Sequence, residues 1–319
     1  MSKIEDLRIR HRTEHYALAG TIDQKKFEEY GRALEFIHKE YVKGFEKLLK
    51  EEKKEAAKPT AKKPGATKPK PGKAAGRRPV GRAEAESTEA EDEEGDKDRF
   101  RVLFFRNDKE YQSFGKAYLG GSTEHSSGMF VPSLKSLFIT EHKDAEQTYS
   151  LLFHEAFHQF VDRHIANPPT WLNEGLATYY GAAKPTPRGL DWSKPPRDYW
   201  WVCRQAIQFN AHIPVLEVTR ASQPQFYDTR VVKIPGTSDN LIRRQLFYAE
   251  AYTLIHVLSK DAGGKAKLQN YIRDLAHDDG SRTKEITNKH FDERACLQLE
   301  QAWIKFVKAR KDRPVVGRP

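Results

Sequence analysis

The sequence predicts an α+β fold, and three observations point to it. Strand-like runs are each followed by helical periodicity in the first half of the chain, over residues 15–48 and again over 101–114. Two further apolar runs, Met129–Val131 and Leu137–Ile139, flank a Pro132-Ser133 turn and read as a hairpin. From about residue 145 onward, helical spacing of apolar residues dominates.

The elements follow in order. His15–Gly20 reads as a strand, and Thr21 with Gln24 makes a capping box for the helix after it. On that helix Phe27, Tyr30, Leu34, Ile37, Tyr41, Phe45 and Leu48 recur on one face. Arg101–Arg106 is a second strand, and Asp108 caps a short helix through Phe114. After the hairpin of Met129–Thr140, Asp144 or Thr148 starts an apolar helix that Asn167-Pro168-Pro169 stops, and another helix opens at about Thr170. Gly181–Pro196 is a loop marked by Pro and Gly, and Asp198–Phe209 is an aromatic-rich helix. Residues 221–240 read as a loop bordering a cleft, with a short strand at Val231-Val232. Helices follow at about 241–260, 264–276 and 292–310, the last with Leu297, Leu299, Trp303, Phe306 and Val307 as its apolar face.

One segment breaks this pattern. From Lys53 to Arg82 there are eleven Lys/Arg, five Pro and one acid, and from Glu84 to Asp98 there are nine acids and one Lys. Such a stretch cannot bury enough apolar surface to offset its ordering entropy. Residues 51–99 therefore read as a disordered, charge-segregated insertion. With a strand–helix unit on each side, it is expected to interrupt one domain rather than join two. The resulting division is a first strand–helix part at 12–50, the insertion at 51–99, a β-rich lead-in with two site helices at 100–183, a helical part at 184–310 and a disordered basic tail at 311–319.

Composition narrows the function classes. No uninterrupted apolar run reaches the length of a membrane-spanning helix. The charged N-terminus and the short run HYALAG do not make a signal-peptide core, so the cytoplasm is the default location. Cys203 and Cys296 are too few for a disulfide framework and read as buried thiols. The net charge of +10 raises nucleic-acid binding through residues 53–82 and the tail. That basic run lacks interleaved aromatics and no recognition fold is evident, so a solvated linker is favoured.

The chemistry concentrates in H-E-A-F-H at 154–158 and W-L-N-E-G at 171–175. Four residues of helix turn slightly past one circuit, so His154 and His158 leave the same face and can share one Zn2+. Glu155 is placed to act as base on a water held there. Catalytic zinc needs a third protein ligand and an open position. Glu174, in the first turns of the next helix, is the favoured third ligand. His164 has the spacing of the metzincin pattern HExxHxxGxxH, but that pattern needs Gly where this chain has Val161, and no Met turn follows. With Val161 the helix is expected to continue and carry His164 to another face. A buried Glu155 between two histidines is costly without a metal or partner, which weighs against purely structural histidines.

Together, H-E-A-F-H and W-L-N-E-G-L-A-T-Y-Y resemble the gluzincin metallopeptidases, and the His158–Glu174 spacing resembles a peptidase-MA-like family of largely uncharacterised bacterial proteins. The likeness runs with gaps from about Arg12 to Val307 and is specific around 150–181. It implies a gluzincin-like metallopeptidase domain, with a small mixed or antiparallel sheet beside the HExxH helix and a helical C-terminal part. It also implies that Tyr248 points at a developing oxyanion, with plain packing as the alternative reading for Tyr248 and Tyr252. The segment corresponding to the amine-holding acid of the aminopeptidases reads Gly128-Met129-Phe130-Val131-Pro132 and has no acid, so that specificity is not expected. The hairpin is expected to supply an edge strand for substrate backbone.

The expected function is zinc-dependent hydrolysis of a peptide or protein substrate. In this reading His154, His158 and Glu174 bind metal, Glu155 is the general base, Tyr248 is the oxyanion donor, and Asp162 and Thr178 orient the histidines. The alternative is a binding or structural protein on the same scaffold, tethered to nucleic acid or an acidic surface by its basic linker. No feature of the sequence specifies an oligomeric state.

Overall fold

A computed structural model describes residues 8–46, 96, 98–121, 126–192 and 197–310. The expected disordered tail lies outside the described residues, as do Leu48 and the insertion apart from residues 96, 98 and 99. The chain opens with β1 (Ile9–Arg12), β2 (Tyr16–Gly20), α1 (Gln24–Gly44), β3 (Phe100–Phe105), α2 (Asp108–Tyr118), β4 (Gly128–Val131) and β5 (Ser136–Thr140). These strands form one mixed sheet in the order β1-β2-β3-β5-β4. The three central strands are parallel, and β1 and β4 pair antiparallel at the two edges. Tyr16 pairs with Phe100 and Gly20 with Phe104, so the strands on either side of the charged segment lie directly together.

Alternation along the strands sends side chains to both faces. Leu18, Val102, Phe104, Leu137 and Ile139 join the main core with Phe27 and Tyr30 of α1. Ala19, Leu103, Phe105 and Phe138 pack with Tyr111 on the other face, against α2. Covered on both sides, the central strands read as continuous apolar runs, as parallel strands do.

The chain then becomes helical: α3 (Ala145–Asp162), α4 (Thr170–Gly181), α5 (Arg197–Gln208), α6 (Val215–Arg220), α7 (Gln223–Phe226), α8 (Arg243–Leu258), α9 (Ala262–Ala276), α10 (Thr283–His290) and α11 (Glu293–Ala309). A two-stranded ladder, β6 (Lys184–Thr186) with β7 (Gly189–Asp191), interrupts the stretch expected to be a loop. α3 packs on β4, β5 and α1, and α4 is held between α3 and α8. Two glycines permit that close fit. A Cβ at Gly181 would meet the Ser150 carbonyl oxygen of α3 at 2.8 Å, and one at Gly175 would meet the Ala251 carbonyl oxygen of α8 at 3.0 Å. The main core runs without a break from Tyr16 to Val307.

Several local expectations are corrected. Asp23 rather than Thr21 stands at the N-cap position of α1, without a side-chain cap bond; the Thr21 hydroxyl accepts the Arg106 N–H and bonds Glu110. α2 is capped by Asn107 and runs to Tyr118. α3 starts after Asp144, whose side chain accepts the Glu146 N–H, but ends at Asp162, before the Asn-Pro-Pro stop. Leu297 is 57% exposed, while Cys296, Leu299, Trp303 and Val307 form the buried face of α11. α6, α10 and β1 had no sequence expectation. No helix among the described residues is long and apolar enough to cross a membrane.

His38 of α1 ties the sheet to α3. It is 6% exposed, lies 3.2 Å from the Tyr16 hydroxyl, stacks on His15 at 4.0 Å and meets Phe160 edge-on. Burial pushes its pKa down to about 4; His15, Arg163 and His164 act in the same direction and Glu35 opposes them. The folded value lies below the unfolded one of about 6.5, so the unfolded chain binds more protons in acid. This share of stability is full above about pH 6.5 and is lost as pH falls toward 4, by about 3 kcal/mol at most. His38→Gln is expected to flatten the acid limb of stability measured by urea unfolding between pH 4 and 7. An unchanged slope would contradict this role.

Candidate metal centre

The site is assembled where α4 crosses α3. On α3, Leu152, Phe153, Ala156, Phe157, Phe160 and Val161 are buried in the core, which leaves His154, Glu155 and His158 facing outward together. His154 Nε2 and His158 Nε2 lie 3.1 Å apart. The fourth residue of the W-L-N-E-G segment brings Glu174 Oε2 to 3.4 Å from His154 Nε2 and 3.7 Å from His158 Nε2. Ligands at tetrahedral angles and zinc bond lengths of about 2.0–2.1 Å stand about 3.3 Å apart, so these atoms have the dimensions of one tetrahedral face. Glu174 is 4% exposed, and its Oε2 has no hydrogen-bond partner among the described residues. A buried carboxylate oxygen aimed at two imidazole nitrogens fits a divalent cation.

The surroundings orient these donors. His158 Nδ1 lies 3.0 Å from Asn173 Oδ1, which sets the ring so that Nε2 faces the centre. The Tyr227 hydroxyl donates to Glu174 Oε1 at 2.6 Å, leaving Oε2 for the histidines. Glu155 Oε2 accepts the backbone N–H of Phe130 on β4 at 3.1 Å. Burial pulls the His158 pKa down, but the negative charge of Glu174 close by, with Glu155 and the Asn173 contact, lifts it to about 9. Burial pushes Glu174 up, but His158 and His154 outweigh it and hold the carboxyl well below its usual range. The pocket thus favours a positive charge beside Glu174, which a protonated imidazole or a bound cation supplies. Burial, followed by the charge of Glu174, raises the pKa of both Tyr227 and Tyr248 and keeps both phenols as donors.

The expected site residues are placed unequally. His154, Glu155, His158 and Glu174 converge. Tyr248 lies in the second turn of α8, its ring 6.4 Å from that of His154. Tyr252 is buried against Tyr199 and Trp200. His164 sits after the end of α3 with its ring against Phe160 and Phe45 and is not part of the His154–Glu155–His158 group. Asp162 does not orient a histidine; it pairs with Lys135. Thr178 is buried beside the centre, yet its hydroxyl has no hydrogen-bond partner among the described residues, so it does not hold an imidazole either. The orienting groups are Asn173 and Tyr227. Asn173 was visible inside W-L-N-E-G as the neighbour of Glu174, whereas Tyr227, in the stretch read as a loop, carried no local signal.

Two cavities flank the centre. One of about 720 Å³ is bordered by Asn173, Glu174 and Tyr227. The other, about 330 Å³, is bordered by His154, Thr178, Tyr199 and Tyr248. Protein supplied with zinc is expected to hold about one ion per chain by elemental analysis, to keep it in His164→Ala and to lose it in Glu174→Ala. Asn173→Ala should weaken zinc affinity about 10–100-fold in a chelator competition; undiminished affinity would remove Asn173 from the centre.

Compared with known proteins, the chain matches no family model and no curated protein, so the reading of this centre rests on the chemistry of its own residues.

Proposed function

We propose that the chain is a zinc-dependent peptide hydrolase of the gluzincin type. The observation that carries this reading is the convergence of His154 Nε2, His158 Nε2 and Glu174 Oε2 within 3.7 Å of one another, with Glu155 at their side. In this reading His154, His158 and Glu174 hold the metal. Bound zinc supplies Lewis acidity, polarising a carbonyl and lowering the pKa of water. Glu155 takes a proton from the attacking water and returns it to the leaving nitrogen. Tyr248, kept protonated by burial and by the charge of Glu174, donates toward the charge that develops on the carbonyl oxygen.

The sheet supports the same reading. Among the described residues β4 pairs only with β5, so its outer edge is open to an extended peptide. The Phe130 N–H on that edge is held by Glu155. A substrate backbone that takes over this N–H releases the carboxylate for proton transfer.

Glu155→Gln is expected to lower turnover of a mixed peptide library by about 10²–10⁴-fold while zinc content stays at the wild-type level. Tyr248→Phe should lower kcat about 10–10³-fold with little change in KM. Wild-type turnover in the Glu155→Gln chain would remove the mechanism.

A further inference from the structure

The larger cavity has a charge pattern that hydrolysis itself does not require. Among the described residues Glu174 is the only acidic one on its wall, and that carboxylate is turned to the histidines. Two cations stand on the same wall: Arg220 at the end of α6 and Lys284 in the first turn of α10. Neither has a hydrogen-bond or ion-pair partner among the described residues. Neighbouring arginines are neutralised: Arg243 at the start of α8 by Glu217 of α6, and Arg282, just before α10, by Asp278. Unpaired cations on a concave wall add a positive potential to it. The start of α4 adds to this, because Pro169 at its N-cap provides no side-chain acceptor for the first N–H groups. The cavity is also continuous with the metal centre through Glu174 and Asn173, and at about 720 Å³ it has the size of a ligand site.

We infer that this cavity is a subsite for a carboxylate of the substrate, from an Asp or Glu side chain or a free C-terminus, so that acidic peptides are preferred over neutral ones. The inference rests on the peptide-hydrolase reading for the word substrate, but the binding preference stands on the cavity alone. A carboxylate placed there pairs with Arg220 and Lys284 and lies beside the metal-binding carboxylate, where the positive centre offsets the repulsion from Glu174.

The test uses the full-length, zinc-loaded Glu155→Gln chain, so that peptides are bound without being consumed. Its probes are N-acetylated, alanine-rich hexapeptides: one set with a single Glu scanned along the chain and an amidated end, the matching Gln set, and a neutral peptide with a free carboxylate. Isothermal titration is expected to show at least one Glu peptide, or the free-carboxylate peptide, binding roughly tenfold tighter than its neutral counterpart. The Glu set and the free-carboxylate peptide separate the two sources. Adding Arg220→Gln with Lys284→Gln, both at exposed positions, should make acidic and neutral peptides bind alike, with equal zinc content showing an intact fold. Equal binding of all probes, a preference that survives the double substitution, or occupation by inorganic phosphate and not by carboxylates overturns the inference. Failure of the hydrolase reading is distinct: it appears as no cleavage of any probe by the wild type, whatever the binding order.

Discussion

A carboxylate buried to 4% exposure, with one oxygen left without a donor, is the constraint around which this molecule is organised. Left alone, such a group costs several kcal/mol. The fold tolerates Glu174 because two imidazoles face its free oxygen and a phenol caps the other. That arrangement demands that α4 run close against α3 on one side and α8 on the other. The missing side chains of Gly175 and Gly181 make that approach possible. α8 in turn carries Tyr248 to the same place and anchors the segment before α6, since buried Glu250 accepts the Ile213 N–H. Packing and chemistry are therefore one problem here: the glycines that set the helix spacing also set the distance between a carboxylate and two nitrogens.

What the sequence revealed about the fold and the site follows the range of the forces involved. The i, i+4 histidines and the buried face of α3 are local periodicities, legible because one helix decides them. The strand–helix units and the hairpin were legible for the same reason. β1 was not, because Ile9-Arg10-His11-Arg12 is a polar edge strand with one apolar residue. The end of α3 was misjudged because nothing local stops it at Asp162; the chain turns there while His164 packs on Phe160 and Phe45. Asp162 was expected to orient a histidine, but its partner is Lys135, which the turn between β4 and β5 brings to it. Tyr227 belongs to a stretch without periodicity, so only the tertiary fold brings it to Glu174.

The two cavities show how the centre divides the space around it. His154 and Tyr248 border the smaller one, and Glu174 and Tyr227 the larger. The ring centroids of Tyr227 and Tyr248 are 6.5 Å apart, so the two phenols form a partition beside the centre. They differ in duty. Tyr227 spends its proton on Glu174 Oε1, which keeps the carboxylate in one orientation. Tyr248 stands nearer the imidazole of His154. Both are held protonated by the same burial and the same negative neighbour.

The sheet ends in two strands whose outer edges are unpaired among the described residues, and open edges invite self-association. β1 carries Arg10, His11 and Arg12, polar side chains that make a second strand unwelcome. β4 has no such protection in its own sequence: Met129, Phe130 and Val131 form an apolar, adhesive edge. Its guard comes from outside the sheet, in the carboxylate of Glu155 that occupies the Phe130 N–H. One side chain therefore occupies the N–H through which β4 could pair with another copy of the chain, so the same contact bears on self-association as well as on peptide entry.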